Sequence, residues 1–342
     1  MRRIVRGVLS TPVDLVVTFL GTAASVPTRS RGTAATLIAR GGERWLFDCG
    51  EGTQRQFLRS GLGLTDVDLI LLTHLHGDHF LGLPGLIKTY GLRGRERPLR
   101  IVGPPGLREL VDRLGSIIGR TPYRVTIDEI SAGLVHETEG AIVEAFHTDH
   151  GVPSLGYALV EGLRPGAFDV VAAGELGVPA GPLFGRLQHG ETVTLGDGRQ
   201  VRPDQVLGAP RSGRRVVLSG DTRPCESTLG AAADADLLVH EATFLHEELG
   251  RARETRHTTA HEAASLARDA GVQLVALTHL SSRCMPREIR AEAEAVFPEV
   301  VVPRDFDQIE LPFRERGEPR LHRADDDGVT HSRPQDTPAD VV

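Results

Sequence analysis

The sequence predicts an α/β protein whose layers pack around one core, and three observations carry that expectation. Short runs of β-branched and leucine residues recur, each stopped by Gly, Pro or Asp. Stretches with helical periodicity lie between those runs instead of being collected at one end of the chain. Finally, 342 residues with 40% hydrophobic and 25% charged composition can bury a sizeable core and still present an ordinary polar surface.

In chain order, strands are expected at 16–20, 36–39, 45–47, 69–73, 100–102, 142–146, 157–160, 215–219, 237–240 and 274–278. Helices are expected at 54–60, 106–117, 260–270 and 286–297, and no repeat of solenoid length is present. Met1-Arg2-Arg3 and the apolar stretch after it have the outline of an export leader. Pro12 and Asp14 interrupt that stretch, so 16–20 reads as a first strand and a cytoplasmic location is expected. No apolar run approaches the roughly 20 residues a bilayer span needs. Residues 161–214 are rich in Gly, Pro, Arg and Asp and read as an insertion with a minimal core of its own. The chain turns polar after 314 and includes Asp325-Asp326-Asp327, so 316–342 is expected to be a disordered tail.

A net charge of −7 argues against wholesale electrostatic coating of nucleic acid and leaves room for a local basic patch. Cys49, Cys225 and Cys284 are far apart with no CxxC pair, which excludes a disulfide scaffold or an all-cysteine zinc site and suits a reducing compartment. Fourteen histidines against three tyrosines and one tryptophan are the first chemical hint.

That hint sharpens in LILLTHLHGDHFLGL, where an apolar strand delivers His74, His76, Asp78 and His79 around Gly77. His74 and His76 project to one side of an extended chain, and the glycine lets the backbone swing Asp78 and His79 back toward them. Imidazole and carboxylate suit a borderline cation, and four such groups exceed what one catalytic tetrahedral ion takes. The motif therefore implies a crowded site or two ions sharing distant ligands. His150, Asp221 and His279 each follow an apolar run, where an α/β sheet delivers side chains to its carboxyl edge. This grouping assigns His74, His76, His150 and Asp221 to one ion, and Asp78, His79, Asp221 and His279 to a second. His136, His147, His189 and His246 read as ordinary surface or hydrogen-bonded histidines, and Asp-Cys-Gly and Gly-Asp-Thr also read as turns, which gives Asp48 and Asp221 a bland alternative as turn formers.

HLHGDH at 74–79 resembles the signature of the metallo-β-lactamase superfamily, with His150, Asp221 and His279 matching its later motifs. VHEATF at 239–244, RHTTAHEAASLA at 256–267, HGVPSLGY at 150–157, SGDTRPC at 219–225 and LTHLSSR at 277–283 resemble boxes of ribonuclease Z, the tRNA 3′-processing endonuclease. GVPAGPLFGRLQHGETVTLGDG at 177–198 resembles the Gly-Pro-rich arm with which that family grips the tRNA elbow. Departures are Arg29 and Gly32 in PTRSRG where the family carries Lys and Asn, His257-Thr258-Thr259 in place of HST, and Cys284 where an aromatic residue is expected.

The resemblance implies an αββα sandwich over 1–315 with a protruding Gly/Pro-rich arm at 161–214, two Zn²⁺ per subunit, and removal of the 3′ trailer from precursor tRNA. The products would be a tRNA 3′-hydroxyl and a trailer 5′-phosphate. Asp78 would orient and deprotonate the attacking water, and His257, held by Glu241, would protonate the leaving oxygen. Arg29, Arg31, Arg164 and Arg186 would contact substrate, in a homodimer whose arms serve the partner's active site. The alternative is a phosphodiesterase or arylsulfatase of the same fold acting on small molecules.

Overall fold

The computed structural model describes residues 14–64 and 66–324, so residues 1–13, the start of the leader-like segment, and residues 325–342 lie outside the described residues. The chain first lays down β1 (Leu15–Gly21), β2 (Ala35–Arg40), β3 (Glu43–Phe47), β4 (Leu69–Leu71), β5 (Leu99–Gly103) and β6 (Val125–Glu129) side by side. It then builds a second sheet from β7 (Gly133–Thr138), β8 (Ala141–His147) and β9 (Leu155–Glu161). The insertion that follows carries the small hairpin β10 (Val193–Thr194) and β11 (Gln200–Val201). Next, β12 (Arg215–Leu218), β13 (Leu237–Glu241), β14 (Val275–Thr278) and β15 (Val300–Val301) complete the second sheet, in the order β15-β14-β13-β12-β9-β8-β7. The chain returns to the first sheet as β16 (Gln308–Glu310) and β17 (Arg320–His322), giving the order β17-β16-β1-β2-β3-β4-β5-β6.

Period-two alternation explains the layering. Val17 and Phe19 of β1, Trp45 and Phe47 of β3, and Leu155, Tyr157 and Leu159 of β9 turn inward and form the core between the sheets. The opposite faces are apolar too, so helices must cover them. On the first sheet, α1 (Thr53–Arg59), the single turn α2 (Gly77–Phe80), α3 (Leu83–Leu92) and α4 (Leu107–Ile118) bring Phe57, Leu83, Leu86, Ile87 and Leu107 onto Leu20, Leu37, Leu46 and Ile70.

The insertion carries α5 (Val170–Glu175) and α6 (Pro182–Gln188), after which α7 (Glu226–Ala232), α8 (Leu249–Thr255), α9 (Ala260–Ala270) and α10 (Pro286–Glu294) follow. Of these, α7, α9 and α10 cover the second sheet. Helix α9 shows why: Ala260, Ala263, Ala264 and Ala267 recur at helical spacing and lie buried with Val217, Leu238 and Val275 of the sheet. Thr259 and Glu262 close a capping box at its start, and Gly271, at φ 66°, ends it. The result is the four-layer αββα sandwich.

Residues 161–214 hold an apolar cluster of their own, with Ala173, Val178, Leu187, Val193, Leu195, Val201 and Val206 buried together. The two strands of the arm's root meet at the backbone pairs Arg164–Arg211 and Phe168–Leu207. One boundary needs correction. Residues 316–324 are not tail: β17 pairs with β16, Leu321 opposite Ile309, and Arg323 forms an ion pair with Asp307. A three-residue strand with two basic side chains has no legible period, and edge pairing alone defines it. Among the described residues, no helix is long and apolar enough to cross a membrane.

Candidate metal centre

The candidate residues converge at one edge of the two sheets. After β4 the chain stays extended through His76 (φ −77°, ψ 149°) before α2 turns Asp78 and His79 inward. Parallel pairing of β12, β13 and β14 puts Asp221, Glu241 and His279 at a common carboxyl edge, and the turn before β9 supplies His150. Asp48, just after β3, and His279 both adopt left-handed φ, 58° and 55°. Such backbone in non-glycine residues persists only where the surroundings hold it.

The imidazoles are oriented from outside. His79 Nδ1 lies 2.8 Å from Asp48 Oδ2, His74 Nδ1 is 3.0 Å from Thr73 Oγ1, and His279 Nδ1 is 3.0 Å from Thr243 Oγ1. His150 Nδ1 lies 3.1 Å from the Arg256 carbonyl, to which it donates. Each partner holds one ring nitrogen and turns Nε2 toward the shared centre, the second layer that metal-ligating histidines require. His76 instead offers Nδ1, 2.9 Å from His74 Nε2 and 3.3 Å from His150 Nε2.

These distances test whether the residues fit cations. Donor atoms held ~2.0–2.1 Å from one tetrahedral ion stand about 3.3–3.4 Å from each other. His279 Nε2 is 3.3 Å from both Asp78 Oδ2 and Asp221 Oδ2, and His79 Nε2 is 3.4 Å from the same two oxygens. His79 Nε2 is also a buried polar atom with no hydrogen-bond partner, a costly arrangement that a cation would relieve. Donor atoms of His74, His76 and His150 gather within 4.8 Å of one another, as do those of Asp78, His79 and His279, with Asp221 joining His74 and His79. The residues fit a metal-binding site.

Electrostatics agree. Burial, reinforced by His79, holds His74 well below its ordinary pKa, and burial lowers His76 as well, which keeps both imidazoles neutral and able to ligate a cation. Although burial opposes it, His279 and His79 keep the Asp221 carboxyl well below the usual range. A hydrogen bond from His279 and the nearby charge of His79 do the same for Asp78 against its burial. The negative charge of Asp221 and Asp48 raises His79 well above its usual value against burial, and the same field attracts a cation.

Beside the cluster, His257 Nδ1 lies 2.9 Å from Glu241 Oε1. Backbone N–H groups of Thr222 and Thr258 donate to the Glu241 carboxylate at 2.7 and 3.1 Å, and the Thr243 hydroxyl donates at 2.6 Å. Against the effect of burial, the charge and hydrogen bond of Glu241 raise His257 to about 9, so its imidazole is protonated at neutral pH. His257 lines a cavity of about 480 Å³ together with Asp149, Arg223, Cys225 and Arg253.

The four expected substrate arginines divide. Arg29 and Arg186 are exposed, the latter paired with Glu191. Arg31 turns inward and donates to the Pro303 carbonyl at 2.8 Å. Arg164 is 7% exposed and bound to Glu315, so its place as a substrate contact is corrected: its guanidinium is already fully engaged. Sequence reasoning left Asp48 as a turn former and missed Thr243 and the Arg256 carbonyl. Asp48 carries a signal akin to that of Asp221, a carboxylate within three residues of the carboxyl end of an apolar strand.

The family described as Beta-lactamase superfamily domain matches residues 43–280. Ribonuclease Z of Methanosarcina acetivorans is 48% identical over 304 residues, covering 88% of this chain and 99% of that protein. Ribonuclease Z of Haloferax volcanii is 50% identical over 306 residues, 88% of this chain and 96% of its own length. The crystal structure of human tRNase Z, short form, is similar with a TM-score of 0.65 and 29% identity, across 87% of this chain and 99% of that one.

Proposed function

The chain belongs to the ribonuclease Z family of the β-lactamase superfamily and is a tRNA 3′-processing endoribonuclease, and we propose that it cuts with two zinc ions per subunit. His74, His76 and His150 would hold one ion, Asp78, His79 and His279 the other, with Asp221 between them. When bound, the pair lowers the pKa of water and offsets charge developing on the phosphate. One observation carries the reading: the donor cluster and the His257–Glu241 pair share one edge, with His257 Nδ1 4.0 Å from Asp221 Oδ2.

In this reading, Asp78 is kept ionised and anchored by the Ser25 N–H, which donates to Oδ2 at 2.8 Å. It orients the attacking water and is the first acceptor of its proton. His257, charged at neutral pH, gives a proton to the leaving 3′-oxygen, and Glu241 fixes its ring and stabilises its charge. The tRNA then ends in a 3′-hydroxyl and the trailer begins with a 5′-phosphate. Arg253, with Arg223 held by Asp149 at 2.7 Å, lines the cavity beside His257 and supplies an exposed basic group there beside the path proposed for the RNA backbone. The arm 161–214 takes the distant part of the tRNA, and the enzyme works as a cytoplasmic homodimer.

The test is a 3′-extended precursor tRNA with end-group mapping of both products. Cleavage is expected to vanish with chelator, return with zinc, and be lost in Asp78→Ala while tRNA binding persists. Undiminished cleavage by that variant removes Asp78 from the chemistry. Cleavage unaffected by a chelator that strips the protein of metal removes the ions.

A further inference from the structure

The arm's own core does not say which way the arm points; its root does. The aromatic ring of Phe313, 3% exposed, lies under two guanidinium groups of that root. The carbon centres of Arg164 and Arg214 stand 3.5 and 4.2 Å from its centroid. Arg164 also donates through both prongs to Glu315, Nη1 to Oε1 at 2.8 Å and Nη2 to Oε2 at 3.0 Å, and Arg211 donates to Oε1 at 3.1 Å. Arg214 donates to the Leu311 carbonyl at 2.8 Å and, through Nε and Nη2, to Glu161 at 2.8 Å each. Residues from both strands of the root are thus bound to one short segment, 311–315. That segment is fixed to the body where the Leu311 N–H donates to the Leu15 carbonyl at 2.9 Å.

None of these groups reaches the donor cluster, and the arm's apolar cluster does not include them. Planar guanidinium groups stacked on a ring and forked onto a carboxylate resist both sliding and twisting, which a purely apolar contact does not. We infer that Phe313 and Glu315 form a positioning clamp that sets the direction of the arm relative to the catalytic body. This rests on the reading that arm and cleavage site engage one tRNA. Two contacts on one ligand reinforce each other in proportion to an effective concentration, and that concentration falls when the connection between them loosens.

Two variants and two readouts test it. Glu315→Ala removes a carboxylate whose side chain is 34% exposed, so folding is expected to survive, and Phe313→Leu keeps an apolar plug while removing the stacking surface. For 3′-extended precursor tRNA, KM is expected to rise ~10-fold while kcat stays within about twofold. Hydrolysis of bis(p-nitrophenyl) phosphate should not change. The second readout needs no RNA: spin labels at Gln188→Cys and Arg287→Cys in a Cys225→Ser background, diluted with unlabelled protein, report the arm–body distance. Its distribution should be narrow in the parent and broaden in Glu315→Ala. An unchanged KM with an unchanged distance distribution overturns the clamp, and equal loss on both substrates makes it a general stability contact instead. A broadened distribution in a protein whose parent does not cut precursor tRNA upholds the clamp and defeats the reading it was built on.

Discussion

Asp48→Asn isolates the tautomer that would make His79 a ligand. Asparagine has the same shape, tolerates the left-handed φ of 58° at this position as aspartate does, and keeps Oδ1 as acceptor for the Thr73 N–H, now at 2.8 Å. Its amide, however, would face His79 Nδ1 where Asp48 Oδ2 now sits at 2.8 Å. Two donors cannot bond, so the His79 proton must move to Nε2, the atom aimed at the cluster. Losing such an outer partner typically weakens metal binding 10–100-fold, about 1.4–2.7 kcal/mol. The assay is zinc titration of metal-free protein against a chromophoric chelator, with circular dichroism to confirm the fold. Asp48→Ala supplies the contrast: it leaves His79 free to choose its tautomer but orphans the buried Thr73 N–H, at about 1–3 kcal/mol in stability. Asn should therefore lose more zinc affinity than Ala, and Ala more stability than Asn. A reversed ranking, or Asn affinity within twofold of the parent, would refute the argument.

His257→Ala is expected to lower kcat by ~10²–10⁴ on precursor tRNA, measured in single-turnover reactions. An acid must be protonated, so activity falls as pH rises through its pKa; Glu241→Gln removes the charge that holds His257 near 9 and should shift that alkaline limb to lower pH. Glu161 is buried, which raises its pKa, but Arg214 and Arg40 outweigh burial and hold it below its ordinary 4.5. Its stabilising effect is complete above that ordinary value and is lost as pH falls through the lower folded value. Urea unfolding of metal-free protein between pH 5 and 3 should therefore be less pH-dependent in Glu161→Gln, which also costs about 3–5 kcal/mol at pH 7 by leaving buried arginines uncompensated. Gly32→Asn would put a Cβ 2.8 Å from Gln56 Nε2, an atom already pinned to the Leu20 carbonyl and Asp305 at 2.6 Å each. A loss of about 1–3 kcal/mol in urea unfolding is expected, and no loss would show that Gln56 yields.

Much of the site was legible because its chemistry is local or follows a positional rule. His74, His76, Asp78 and His79 announce themselves within six residues, and His150, Asp221 and His279 each come after an apolar run. What failed to show was whatever depends on a partner far along the chain. Asp48 obeys the same rule as Asp221, yet its role is decided by Thr73 and His79, which only the fold brings to it. The Arg256 carbonyl that orients His150 has no side-chain signature at all. Helix α3 escaped because Pro84, Gly85 and Gly91 spoil its intrinsic propensity; burial of Leu83, Leu86, Ile87 and Tyr90 overrides that weakness. Arg164 looks like its neighbours in an arginine-rich insertion, and its burial and its fork onto Glu315, 151 residues along the chain, set it apart from them.

The division of labour follows from what each task tolerates. His74 and His79 are fully buried with ring centroids 4.0 Å apart, beside two carboxylates, an arrangement costly without cations. A fold can hold it only by fixing the buried rings from behind, so the candidate ligands stand at or just beyond the ends of strands whose other residues fill the core between the sheets. Gripping a long RNA, the task proposed for the arm, asks for reach more than sub-ångström placement. The arm accordingly has a small cluster of its own and joins the body through ion pairs and stacked guanidinium groups, contacts strong in direction but separate from the core. In the proposed reading, changes at the clamp alter how tightly the RNA is held without disturbing how the phosphate is cut, whereas Asp48, bonded to the His79 ring that would hold an ion, cannot change without altering the chemistry itself.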